Sequence, residues 1–107
     1  MIIYSVAITL ALDIQDEWMR WMESVHIPDV LRTGCFEEAK IYKVIDSAPD
    51  KPTYLIQYRC HSLDDYHRYR DHFAPALQKE HSNRFIGRFQ AMRQILEEVT
   101  KDKRENL

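Results

Sequence analysis

The order of apolar and polar residues predicts four strands and two helices arranged as βαββαβ. Residues 2–12 alternate between large apolar side chains and small, mildly polar ones, which indicates a strand with both faces covered. Residues 14–27 follow the helical period, with an apolar stripe of Trp18, Trp21, Met22 and Val25. The segments CFEEAKIYKVID, TYLIQYRC and RFIGRFQAMRQIL predict the other strands. A helix that starts after Ser62 separates the last two of them.

Proline and glycine set the expected ends of the first helix. Pro28 disfavours the α conformation at the residue before it, so the helix is predicted to end or bend sharply at Ile27. Asp29 is then expected to cap a short turn that Gly34 closes.

The second helix carries its own start and break signals. Ser62 opens the sequence SLDD, a variant of the capping box. Pro75 lies inside the helical pattern, which predicts a kink or a restart near Phe73. The expected core stripe of this helix is Leu63, Tyr66, Tyr69, Phe73 and Leu77.

This order predicts a ferredoxin-like α+β sandwich over residues 1–97, with both helices on one face of a four-stranded antiparallel sheet. The strongly charged residues 98–107 are expected to form a tail. The second face of the sheet is half apolar, and an uncovered face of that kind indicates association. We therefore predict a homodimer in which two sheets form a dimeric α+β barrel.

Composition excludes several classes of protein. The 107 residues suit one domain, and a formal charge of −2 gives no footprint for nucleic acid or an anionic membrane. No apolar run reaches the roughly 18 residues of a membrane span. The opening MIIYSVAITLALDI lacks the basic region of a secretory leader and is interpreted as a strand. Two cysteines, Cys35 and Cys60, fall near one end of the hairpin; a disulfide stays open, but reduced thiols in a cytoplasmic protein are expected.

Three segments carry a resemblance to a known superfamily: HIPDVLRTGCF after the first helix, TYLIQYRC, and FAPALQKEHSNRFIGRF. The chain resembles the dimeric α+β barrel proteins, and within them an uncharacterised bacterial domain family of unknown function. The resemblance implies a homodimer with a pocket between each sheet and its helices or within the shared barrel. It implies no reaction, because members of the superfamily carry out unrelated chemistries.

Five polar residues are the candidate ligand-binding side chains. His26 is expected in the last turn of its helix, where the carboxyl end favours the protonated imidazole; it either serves a pocket or satisfies free carbonyls. Gln57 and Arg59 share one strand face, in a wetted cavity or in bonds across the sheet. His81 follows the second helix and could face the sheet opening. Arg88 is a further candidate, with exposure at a dimer rim as the alternative.

No cofactor or metal site is predicted. His67 and His72 are five residues apart and point to different faces of a helix. No Walker loop, GxSxG, GxGxxG or HExxH motif occurs.

Two functions remain open from the sequence. The first is a barrel that binds a small organic molecule; whether it is an enzyme stays open, with proton transfer by His26 as the simplest chemistry. The second is a non-catalytic module that only homodimerises through its sheet. An RNA-recognition module shares the element order, but the glycine- and aromatic-rich strand motif is missing and the isoelectric point is about 6.2.

Overall fold

The computed structural model describes residues 1–100, in which a four-stranded antiparallel sheet carries helices on one face. The strands are β1 (Ile2–Leu10), β2 (Glu38–Lys43), β3 (Thr53–Cys60) and β4 (Phe89–Glu97). Their order is β2-β3-β1-β4, so β1 and β3 are central and β2 and β4 are edges. The predicted α+β ferredoxin-like fold is confirmed, and β3 has the predicted bounds.

The helical layer consists of two broken rods. The first contains a 3-10 turn (Leu12–Ile14), α1 (Gln15–Trp21), a π-helical turn (Met22–His26) and α2 (Ile27–Arg32). The second contains α3 (Leu63–His72) and α4 (Ala74–Arg84). Among the described residues, no helix combines the length and apolar character needed to cross a bilayer.

Strand β1 forms the centre of the core. Every second side chain points toward the helices and is buried: Ile2, Tyr4, Val6, Ile8 and Leu10. Burying a large apolar side chain stabilises a fold by about 1.5–3 kcal/mol, so this stripe holds the helices to the sheet. They contribute the fully buried Trp18 and Val30.

The predicted helix end at Ile27 is wrong. Ile27 is helical (φ −62°, ψ −45°), and Pro28 lies in the first turn of α2, where a missing N–H costs little. The π turn makes this possible, because the N–H of Ile27 bonds to the carbonyl of Met22, five residues back. The rod continues to Arg32, and Gly34 (φ +76°) closes the following turn as predicted.

Asp29 does not cap the next turn, contrary to expectation. It lies in the first turn of α2, and its carboxylate pairs with Arg32 on the same face of the helix. The chain is already helical before Asp29, so no free helix start remains for it to cap. Its pair with Arg32 lies at the surface, where such pairs stabilise by at most about 1 kcal/mol.

The second rod follows its sequence signals. The hydroxyl of Ser62 accepts a hydrogen bond from the backbone N–H of Asp65 at 3.3 Å, which confirms the predicted cap. The break falls at Phe73 (φ −125°, ψ −38°), and Pro75 lies in the first turn of α4, as predicted. Leu63 does not join the core and is 45% exposed, because the first side chain of a helix leans off its amino end.

The fourth strand begins later than predicted. Helix α4 continues through Arg84, and a turn that contains Gly87 (φ +72°) leads into β4 at Phe89. A positive φ of this kind favours glycine. The strand ends where the predicted charged tail, residues 98–107, begins, and from position 101 onward that tail lies outside the described residues.

The two cysteines are buried free thiols, as expected for a reduced pair. The thiol of Cys60 lies 3.5 Å from the carbonyl of Ser62, and that of Cys35 lies 3.9 Å from the carbonyl of Thr33. Each thiol therefore acts as a weak donor to its own loop.

The face of the sheet opposite the helices is open and mixed in character. Its apolar and aromatic members come from all four strands: Ile3, Ala7, Tyr42, Leu55, Met92 and Leu96. Ala7 stands opposite Leu55 on one side and Met92 on the other, so these side chains form a continuous row. Met92 is 72% exposed and Leu96 39%. This is the half-apolar face that the sequence predicts.

Candidate functional site

A small cavity lies between the helix-facing side of the sheet and the two rods. Its volume is about 30 Å³, enough for about two water molecules. Apolar side chains of β1, β3 and the π turn form part of its wall. The polar side chains that line it are Tyr4, His26, Tyr58, Tyr69, Gln78, His81 and Arg93. We name this space the helix-side cavity.

The π turn brings His26 to the helix-side cavity. The imidazole stacks on the ring of Trp21, with 5.2 Å between centroids and 27° between planes. Its Nδ1 is buried and has no hydrogen-bond partner among residues 1–100. Burial lowers the pKa of His26 to about 4; Asp29 opposes this shift, and the positive charge of Arg93 adds to it. His26 is therefore neutral near pH 7.

This corrects the expectation that a helix carboxyl end would favour the protonated form of His26. The rod does not end at His26 but continues through Arg32, so its free carbonyls lie one to two turns further on. The macrodipole acts mainly within the last turn of a helix. Desolvation of the ring is then the larger effect, and it moves the pKa downward.

His81 occupies the other side of the cavity, on the last turns of α4, and is only 6% exposed. The indole N–H of Trp18 donates to its Nε2 at 2.9 Å. An indole is only a donor, so Nε2 carries a lone pair and the ring proton is on Nδ1. Burial lowers the pKa of His81 to about 4, and the charges of His26 and Arg93 act in the same direction.

Arg93 brings positive charge to the mouth of the cavity. It lies on β4 opposite Val6, on the helix-facing side, and its side chain remains exposed because β4 is an edge strand. Its Nε donates to the hydroxyl of Tyr4 at 3.2 Å, which sets the direction of the guanidinium. Neither Arg93 nor Tyr4 is among the site residues predicted from the sequence. The sequence does carry one signal for Arg93: it is an arginine on the same strand face as the apolar Phe89 and Ala91.

The tyrosines supply neutral hydroxyls. Burial raises the pKa of Tyr58 and of Tyr69 well above the usual value for a phenol, so both keep their protons. The ring of Tyr4 packs against both, at 5.8 and 5.6 Å between centroids. These side chains can donate hydrogen bonds to a bound molecule.

Gln57 and Arg59 do not belong to this site. They lie on the open face of the sheet, opposite Ser5 and Ile3 of β1. The amide of Gln57 donates to the hydroxyl of Ser5 at 3.4 Å, which is the cross-sheet alternative. Arg59 pairs with Glu38 at 3.3 Å, while its Nε is buried without a partner in the described part of the chain. A shallow depression of about 140 Å³ adjoins them.

Arg88 lies apart from both locations. Its guanidinium pairs with Asp13 at the end of the sheet, and both side chains are exposed. The candidate residues therefore divide into three places: His26 and His81 share the helix-side cavity, Gln57 and Arg59 lie on the open face, and Arg88 is at the sheet end. In residues 1–100, no three His, Cys, Asp or Glu side chains are grouped so as to hold a metal ion.

Comparisons with known proteins identify a family and a fold. The model of a family described as "Domain of unknown function (DUF4286)" matches residues 1–99. No curated protein shows significant similarity to the chain. The solved structures below are all less than 25% identical and therefore show the fold alone.

Three solved structures illustrate the likeness. A dimeric ferredoxin-like protein from an uncultured marine organism has a TM-score of 0.70 and 14% identity, covering 96% of this chain and 99% of that one. A protein described as of the "ethyl tert-butyl ether d (ethd) family", from Bacillus halodurans, has a TM-score of 0.61 and 15% identity, covering 92% of this chain and 100% of that one. A monooxygenase of Streptomyces coelicolor, in complex with nanaomycin D, has a TM-score of 0.59 and 11% identity, covering 95% of this chain and 92% of that one.

Proposed function

The chain belongs to the DUF4286 family of domains of unknown function, and from its geometry we propose that it is a homodimeric module that binds a compact organic molecule in the helix-side cavity. The observation that carries this proposal is the convergence of His26, His81 and Arg93 on one cavity. A cavity with a few convergent polar groups and shifted pKa values is the usual form of a small-molecule site.

The buried nitrogen of His26 supports a binding role. A buried polar atom without a partner costs about 1–3 kcal/mol, and folded proteins rarely retain one without a function. Trp21 and the π turn hold the ring in place rather than letting it turn to solvent. A distant structural neighbour, the Streptomyces monooxygenase, holds an organic ligand, which agrees with this use of the fold.

Binding fits the site better than acid–base catalysis near neutral pH. An efficient general acid or base has a pKa close to the working pH. The pKa values of His26 and His81 are both lowered to about 4, so each ring is an unprotonated but weak base at pH 7. We therefore propose that His26 acts as a hydrogen-bonding group toward the ligand.

The homodimer is proposed on the open face of the sheet. The apolar row of Ala7, Leu55 and Met92 is flanked by polar side chains, as in a dimer interface with a polar rim. A similar solved structure is described as a dimeric ferredoxin-like protein. In this arrangement Gln57 and Arg59 would lie in the shared interior, where the partner could satisfy the buried Nε of Arg59.

The test is a titration with compact probes followed by NMR. Acetate, acetamide and phenol are added separately to the full chain, and the imidazole signals of His26 and His81 are followed. We expect at least one probe to shift both histidines in a saturable way, and His26→Phe to abolish the response. His61→Phe is the matched control, because His61 is exposed and pairs only with Glu37. Unchanged imidazole signals with all three probes would refute the binding proposal.

The second candidate is a module that only homodimerises, and the small volume of the cavity, about 30 Å³, favours it. In that case the two histidines are core residues, and the open face carries the whole function. The same titration separates the two candidates, because a purely structural cavity gives no saturable shift. Sedimentation of the same samples reports the dimer independently.

A further inference from the structure

Two polar groups of the helix-side cavity can only donate toward a ligand. The ring proton of His81 is on Nδ1 because Trp18 occupies Nε2, and Arg93 adds a guanidinium. The phenols of Tyr58 and Tyr69 keep their protons, so they can donate as well as accept. Along the described chain, no carboxylate lines the cavity. The two donor-only groups therefore have no anionic acceptor among the lining residues.

No carboxylate among residues 1–100 neutralises the charge of Arg93. Its guanidinium forms no ion pair within that range, whereas Arg59 and Arg88 each pair with a carboxylate. Its one hydrogen bond to the described part of the chain, from Nε to Tyr4, uses a single N–H and leaves the terminal NH₂ groups for other acceptors. A guanidinium held in one direction with two free NH₂ groups suits a carboxylate.

We infer that the ligand is a compact carboxylate, anchored by Arg93 at the mouth of the helix-side cavity; this inference rests on the proposed function. The anionic group of the ligand accepts hydrogen bonds from the guanidinium. Its short apolar part enters the cavity beside the rings of Tyr4 and Tyr69, which line it and pack against each other at 5.6 Å between centroids. A neutral molecule of the same shape leaves the guanidinium without a counter-charge.

The volume limits the size of this ligand. About 30 Å³ corresponds to roughly two water molecules, so about two non-hydrogen atoms fit inside without rearrangement and the carboxylate group stays at the mouth beside Arg93. Acetate has four such atoms, and acetamide has the same shape without the charge. So small a ligand is expected to bind weakly, because it makes few contacts with the protein.

The experiment compares sodium acetate with acetamide at constant ionic strength set by sodium chloride. The readout is the Nε–H signal of Arg93 together with the imidazole signals of His26 and His81, in the full chain at pH 7. We expect acetate to bind at least about tenfold more tightly than acetamide, because a charged hydrogen-bonded pair is lost in the neutral analogue.

Three variants locate the effect. Arg93→Gln is expected to weaken acetate binding by about tenfold. Arg93→Lys keeps the charge but not the planar guanidinium. Its affinity for acetate is expected to lie between those of the wild type and Arg93→Gln. Arg88→Gln removes the same charge outside the cavity, where Arg88 pairs with Asp13, and is expected to leave the affinity unchanged.

The outcomes separate this inference from the proposed function. If acetamide or phenol binds as well as acetate, or if Arg93→Gln and Arg88→Gln behave alike, the carboxylate inference is wrong and the binding site stands. If no probe shifts His26 and His81, the proposed function itself fails, and the inference fails with it.

Discussion

The indole nitrogen of Trp18 lies 2.9 Å from Nε2 of His81 and donates a hydrogen bond to it, which joins the first helical rod to the second. Both side chains are buried. Protonation of His81 would place an N–H at Nε2, opposite the N–H of Trp18, and would break this bond. The contact therefore fixes the tautomer of His81 and opposes its protonation.

Replacement of Trp18 by Phe tests this contact. We expect Trp18→Phe to raise the pKa of His81, because the bond that favours the neutral ring is lost, and to lower the free energy of unfolding by about 1–3 kcal/mol. The measurements are an NMR pH titration of the imidazole and urea unfolding. Trp21→Phe is the control, because Trp21 packs on both histidines without donating to His81. Equal pKa shifts in the two variants would argue against the bond.

The two buried histidines predict a stability that falls with acidification. Their pKa values are lowered from 6.5 to about 4 on folding, so between these values the unfolded chain binds more protons. Stability is then complete above about pH 6.5 and declines toward pH 4, by up to about 1.4 kcal/mol per pH unit for each histidine.

Urea unfolding at several pH values measures this slope. The double variant His26→Gln with His81→Gln is expected to flatten it, whereas His72→Gln, at an exposed helical position, leaves it unchanged. A slope that persists in the double variant would assign the acid sensitivity to other groups.

The homodimer can be tested by one charge on the open face. Leu55→Asp places a carboxylate in the apolar row opposite Ala7, and we expect a folded monomer in sedimentation velocity. Ile45→Asp is the matched control: Ile45 is 94% exposed and lies outside the strands, so this variant stays dimeric. A wild-type particle of 12.9 kDa at micromolar concentration would rule out the dimer.

Gly34 follows the first rod and has a positive φ. Its replacement measures the free-energy cost of that backbone conformation for a residue with a side chain. A Cβ at this position would meet no atom within 4 Å, so only the conformation opposes a side chain. We expect Gly34→Ala to destabilise the fold by about 1–2 kcal/mol and Gly34→Asn by less, because Asn tolerates this region. Urea unfolding gives both values; equal losses would point to a cause other than φ.

The fold was predictable because its signals are local. The alternation in β1, the proline at position 75 and the Ser62 cap each act within a few residues, and the structure has all three where expected. The helix end predicted from Pro28 was wrong because the effect of a proline depends on the conformation of the residues before it. A π turn absorbs the missing N–H, and neither the residue types nor their spacing signals that turn.

The site was less predictable because it joins five separate parts of the chain: β1, the first rod, β3, the second rod and β4. His26 and His81 were candidates individually, but no periodicity places them 5.7 Å apart between ring centroids. Gln57 was expected near them, although the parity of β3 puts Tyr54 and Tyr58 on the helix side and Gln57 on the other. Arg93 lies on the same strand face as Phe89 and Ala91, but its spacing in the strand does not show which side chains of the helices stand near it.

The π turn from Met22 to His26 contains one residue more than a regular helical path of the same rise. In a gene, that residue is a single codon. Its deletion would return the rod to uninterrupted α-helix and leave the residues from Ile27 onward, Val30 among them, on the same face, because a regular path of the same rise needs one residue fewer. The core packing therefore tolerates the loss of this residue, whereas the position of His26 beside Trp21 depends on it. The inserted codon is therefore expected to persist in descendants of this gene only while the cavity that His26 lines is used.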